Sequence, residues 1–174
     1  MWTRACARGT VAGMTASPFW TFSLAIYGKP GVPPACLTLQ GESGVDVNVL
    51  LFGLFLASRG RALGAGDFAK IDAVVEPWRR AAVVPLRQVR IFLKTPPEAF
   101  AGDAAETLRS RVKAVELEAE RLQQEALYGL FGESLGRAGE AGRETARGNL
   151  GAYAAYLGKG FDEAAVAAIL RAFA

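Results

Sequence analysis

Apolar residues recur in steps of three and four along most of this chain, and no stretch of any length alternates as a strand would. Ser17 followed by Pro18 reads as a helix N-cap with proline at the first helical position, opening "PFWTFSLAIYG", which Gly28 and Pro30 close. Its aromatic residues fall on most faces, so it should be buried on more than one side. "GVPPACLTLQG" predicts a second helix of about two turns ending at Gly41. Asp46 can cap a third, almost wholly apolar helix that runs to Gly60.

From Asp67 to Lys94 a single stripe runs through Phe68, Ile71, Val75, Trp78, Ala82, Leu86, Val89 and Leu93. Pro77 and Pro85 interrupt it, which predicts a kinked helix or two helices nearly in line, broken around Glu76. "TPPEAFAGD" turns into a long helix from about Ala104 to Phe131, with its stripe at Leu108, Val112, Val115, Ala119, Leu122 and Ala126. Two helices striped in matched steps and joined by a short turn pack antiparallel. Residues 132–149, rich in glycine and charge, read as a linker, and 150–174 as short C-terminal helices, the last capped by Asp162. Residues 1–16 read as a flexible extension, with a second methionine at Met14. The expectation is an all-α protein: a compact helical bundle over 17–131 with a central apolar helix and a long antiparallel helix pair.

Composition narrows the chemistry. The 174 residues are 51% hydrophobic and 21% charged, as expected of a chain that folds around one core. Histidine is absent, which removes the usual general base, histidine-centred triads and the commonest transition-metal ligand. The two cysteines, Cys6 and Cys36, are too few for a zinc site or a disulfide scaffold, and Cys36 reads as a structural thiol in a reduced, cytoplasmic protein. The net charge of +3 is spread along the chain rather than gathered into the basic footprint of a nucleic-acid binder. Val45 to Ala57, the most apolar stretch, is shorter than the roughly twenty residues that span a bilayer, and Asp46 and Asn48 lie in its first turn. A buried rod is therefore expected rather than a membrane anchor.

Three groups could carry chemistry. Gln40, Asp46 and Asn48 sit at the mouth of the apolar helix. Capping explains Asp46, but a buried Asn48 needs a partner, supplied either by a polar network or by a ligand. Arg80, Arg87, Arg90 and Lys94 share one helix face, with Arg79 beside them. Folding the hairpin about Pro96 to Ala99 sets Arg79 and Arg80 level with Glu116, Glu118 and Glu120, which predicts structural ion pairs. Arg87 and Arg90 are left without an obvious partner and become anion candidates alongside Gln40, Asp46 and Asn48. Glu116 and Glu120, four apart, read as a salt-bridged face rather than a metal or acid–base pair. No catalytic residue, metal or cofactor is assigned.

The runs "FWTFSLAIYGKPGVPPACLTLQGESGVDVNVLLFGLFLA", "VVEPWRRAAVVPLRQVRIFLK" and "VKAVELEAERLQQEALY" resemble a family of small bacterial proteins catalogued as a domain of unknown function. The likeness covers about residues 18–128, with Phe55 standing where relatives are expected to carry tryptophan. It implies a helical fold and carries no settled activity. The combined expectation is a binding or assembly module, with a protein partner or self-association. The alternative is a binder of a small anionic or isoprenoid-like molecule, or a histidine-independent enzyme, using the polar rim and the basic stripe.

Overall fold

The computed structural model describes residues 16–173, so most of the expected N-terminal extension lies outside the described residues. Helix α1 (Pro18–Tyr27) begins where Ser17 Oγ accepts the Trp20 N–H. Helix α2 (Val32–Ser43) follows Gly31 and carries its proline pair in the first turn. It runs past Gly41 and stops before Gly44, whose φ of 72° is the left-handed conformation that ends helices. Helix α3 (Val47–Ser58) is the central rod: Asn48 through Ala57 are all buried. Each of its large apolar side chains contributes about 1.5–3 kcal/mol by leaving water. Phe52 and Phe55 pack with Phe19, their ring centroids 4.9 and 5.4 Å from it.

The next segment departs from a regular helix. Helix α4 (Ala65–Trp78) ends in a π-helical turn, Arg79–Val83, before α5 (Val84–Phe92), and the Val84 N–H bonds back to the Arg79 carbonyl. The break thus falls after Trp78 rather than around Glu76. The wider turn takes up an extra residue and rotates everything downstream. Phe68, Ile71 and Val75 are buried as the stripe predicts, but Trp78, just before the turn, is exposed, and it is Val83 at the end of the turn that points inward while Val89 beyond it stays exposed. A short 3-10 turn, Glu98–Phe100, leads into α6 (Asp103–Phe131), which packs along α5 and the π turn.

The C-terminal region belongs to the same core. Residues 132–149, expected as a linker, hold a two-residue strand and the start of α7 (Arg143–Leu157). That strand, β2 (Arg137–Ala138), pairs antiparallel with β1 (Arg61–Ala62), a bridge too short to show as alternation. Arg61 ties the crossing down by donating to the carbonyls of Ser134, Leu135 and Gly136. Gly60 has φ of 67°, and a Cβ there would lie 2.5 Å from the Gly139 carbonyl oxygen, so only glycine fits at this approach. Helix α7 packs on α3, and α8 (Glu163–Ala172), capped by Asp162, packs on α2. Ala146, Leu150, Tyr153, Ile169 and Phe173 join the main hydrophobic cluster. The result is an all-α bundle around α3, and among the described residues no helix is long and apolar enough to cross a membrane.

Candidate functional site

Of the predicted core stripe of α6, Ala119 is buried, but most of the stripe is not the face that α6 buries. Leu108, Val115 and Leu122 are 49%, 53% and 43% exposed, whereas Glu116, Glu120, Gln123 and Gln124 are buried. The bundle turns a polar face of its longest helix inward because complementary polar groups wait there on α3, the π turn and α5.

Asp46 organises one end of this seam. Its Oδ1 accepts the N–H groups of Asn48 and Val49 at 2.8 and 3.3 Å, capping α3. Its Oδ2 accepts from Arg79 Nη1 at 3.1 Å and from Gln123 Nε2 at 2.9 Å. Its own N–H donates to the Tyr153 hydroxyl at 3.0 Å. Arg79 also donates to Asp72 at 2.7 Å, and the Tyr156 hydroxyl donates to the other Asp72 oxygen. Burial opposes the Arg79 charge, but the Asp72 and Asp46 carboxylates together outweigh it and hold its pKa above the usual value. In the first turn of α3, Asn48 accepts from Gln124 Nε2 at 2.7 Å, which supplies the partner its burial requires.

Arg87 and Arg90 form the other end. Arg87 donates through Nε to Glu116 at 3.0 Å and through Nη2 to Glu120 at 2.7 Å. Arg90 donates through Nε and Nη2 to the same Glu116 carboxylate. The pairing expected from the sequence therefore changes hands: Arg79 goes to Asp46 and Asp72, and the exposed Arg80 reaches Glu76 one turn back. Glu118 forms no ion pair among the described residues. The reason is directional. Helical side chains lean toward the N-terminus of their own helix, so on antiparallel helices an arginine meets a glutamate further along than the residue level with it. Burial pushes the Glu120 carboxyl up to about 7; Glu116 and Asp46 add to the rise and Arg87 opposes it. Tyr27, against the same group, is pushed up to about 12, first by burial and then by Cys36 and Glu120.

Between these two ends, α2–α3 and the α5–α6 hairpin enclose an open cavity of about 670 Å³. Gln40, Asp46, Asn48, Arg87 and Arg90 all line it, as do Arg79, Glu116 and Glu120. Arg80 and Glu118 do not. Arg109 and Lys113 of α6 complete the charged part, and Leu37, Val45, Val83, Val84, Ile91 and Leu117 give it an apolar wall. The cations on the lining, Arg79, Arg87, Arg90, Arg109 and Lys113, outnumber the carboxylates Asp46, Glu116 and Glu120. Arg87 and Arg90 spend Nε and Nη2 on glutamate, so Nη1 of each makes no hydrogen bond among the described residues. Lys113 likewise has no carboxylate partner there. Such a site can take an anion without dismantling its own ion pairs.

The residues missed by sequence reasoning are Gln123, Gln124, Asp72, Tyr153 and Asn149. The adjacent glutamines one turn beyond Glu120 carried a signal, since they continue the Glu116–Glu120 face. Asn149, buried in α7, accepts the Leu63 N–H at 2.8 Å and donates to the carbonyls of Gly53 and Arg61 at 2.9 and 3.0 Å. It locks α7 to α3 behind the site.

No curated protein and no solved structure matches the chain. A family model described as "Protein of unknown function (DUF2390)" matches residues 18–127, from the start of α1 to the buried Leu127 of α6. That span holds every residue that lines the cavity, and more than half of the chain; the protein belongs to this family.

Proposed function

We propose that the chain is a binding module whose cavity takes a small amphipathic anion: a carboxylate or phosphate head with an apolar tail. The observation that carries the reading is the convergence of Gln40, Asp46, Asn48, Arg87 and Arg90 on one cavity with an apolar wall. Its size, about 670 Å³, lies in the range of small-molecule sites. The ion pairs with Glu116 and Glu120 hold Arg87 and Arg90 in place before any ligand arrives, so little side-chain freedom is lost on binding. The head group is met by their free Nη1 donors and by Lys113, and the tail lies along Leu37, Val84, Ile91 and Leu117.

The test is a thermal-shift series with dodecanoate, dodecyl phosphate and dodecanol. Both anions should raise Tm, by roughly 5–10 °C at a hundredfold excess over Kd, and the alcohol should not. Lys113→Ala should weaken the gain and Leu117→Trp, which fills the cavity, should abolish it. Equal shifts for all three probes, or shifts that survive Leu117→Trp, would refute the proposal.

A further inference from the structure

The apolar stripe that α6 keeps out of the core has the period of a helix–helix seam. Leu108, Val115 and Leu122 are seven residues apart and about half exposed, and Val112 and Ala119 stand between them in three–four steps. That 3.5-residue repeat is what lets two helices stay in register along their length. Of the buried residues of the same helix, Glu116, Glu120, Gln123, Gln124 and Leu127 lie to one side of the stripe, and Ala119, whose carbonyl accepts from the Trp78 indole, is the stripe residue shared with that face.

The flank of the stripe turned away from that buried face carries Arg111 and Glu118, four residues before Val115 and Leu122 respectively. Neither has an ion-pair partner among the described residues. We propose that two copies of this chain associate through this seam, α6 against α6, antiparallel about a two-fold axis near Val115. Arg111 then lies about 6 Å before the axis along the helix and Glu118 about 4.5 Å beyond it. The antiparallel partner brings its Glu118 beside Arg111, and the symmetry makes the same contact twice. A parallel pairing offers Arg111 only Glu116, which is already held by Arg87 and Arg90. The self-complementary charges therefore select one occupant, a second copy, and one direction.

Analytical ultracentrifugation of the full chain across a micromolar concentration series tests this. A species of twice the 18.4 kDa chain mass is expected. Val115→Arg, at a half-exposed position the monomer tolerates, should leave a folded monomer with an unchanged helical circular-dichroism spectrum. Arg111→Glu and Glu118→Arg should each raise the dimer Kd on the order of tenfold, because each sets like charges together twice. The doubly swapped variant should return to within about threefold of the parent. A wild-type chain that stays monomeric throughout overturns the proposal, and so does a dimer indifferent to Val115→Arg. A dimer that both single swaps weaken but the double swap does not rescue overturns the antiparallel arrangement.

Discussion

Replacing Asp46 with alanine removes more than a capping residue. The two backbone N–H groups at the start of α3 lose their acceptor, which costs about 1 kcal/mol. Gln123, only 2% exposed and already lacking a partner at Oε1, loses the acceptor for its Nε2 as well, and an orphaned buried donor costs about 1–3 kcal/mol. Arg79 keeps Asp72 and some solvent, so its loss is limited to about 1 kcal/mol. The sum, roughly 3–5 kcal/mol, is a large part of the about 5–15 kcal/mol that holds an ordinary domain together. For a chain of this length it lowers Tm by roughly 6–20 °C. Urea unfolding followed by far-ultraviolet circular dichroism and by tryptophan fluorescence measures it. Asp46→Asn keeps a capping oxygen but turns an amide NH2 toward Arg79 and Gln123 Nε2, so it should recover only the about 1 kcal/mol of the cap. Gln123→Leu should recover part of the alanine loss, because it removes the stranded donor, while destabilising the parent chain. An Asp46→Ala chain within about 1 kcal/mol of wild type, or additive effects at positions 46 and 123, would refute the network.

Two further perturbations probe the polar interior elsewhere. Asn149→Leu strands the Leu63 N–H and the carbonyls of Gly53 and Arg61, and should cost at least about 3 kcal/mol in urea unfolding; a loss under about 1 kcal/mol would contradict the lock between α7 and α3. Glu120 titrates near 7 in the folded chain against an ordinary value of 4.5, so its protonated form favours folding. Its contribution is complete below about 4.5 and is lost as pH rises through about 7. Glu120→Gln should therefore gain stability relative to wild type between pH 5 and pH 8, by a few kcal/mol at most, and a stability difference independent of pH would count against the buried carboxyl.

Local chemistry was legible in the sequence, and long-range polar pairing was not. Ser17, Asp46 and Asp162 announce the starts of α1, α3 and α8 because a cap depends on the next three residues alone. The α3 rod was equally plain, since a run of Val, Leu and Phe too short for a bilayer has few other places to go. The phase of the α4–α5 stripe was readable only as far as Val75. The π turn is a backbone event, and the extra residue it absorbs rotates Ala82 and Val83 without any change in composition. On α6, the rule that the apolar face turns inward chose the wrong side, because the partners of Glu116, Glu120, Gln123 and Gln124 lie at positions 46, 48, 87 and 90. Only the first half of α7 was hidden, by Gly142 and Gly148, and its second half falls in the helical stretch expected from residue 150, with Ala146, Leu150 and Tyr153 keeping helical spacing across the two.

The two faces of α6 belong to one design problem. A buried ion-pair seam is seldom more stabilising than well-packed leucine of the same volume, and desolvating Arg87, Glu116 and Glu120 offsets much of their attraction. Leucines were available on this helix: Leu108 and Leu122 stand beside the seam, and a rotation of the helix about its axis would put them inside. The fold instead keeps the charges within and the leucines without. That choice is costly for a monomer with a sealed core and reasonable for a chain that needs both sides of the helix. Inward, fixed arginines give a cavity wall with donors to spare; outward, an apolar repeat is bracketed by Arg111 and Glu118, the surface proposed to take a second copy. If both readings hold, replacing Glu116, Glu120, Arg87 and Arg90 together by apolar residues should abolish anion binding and leave dimerisation intact, whereas Val115→Arg should do the reverse.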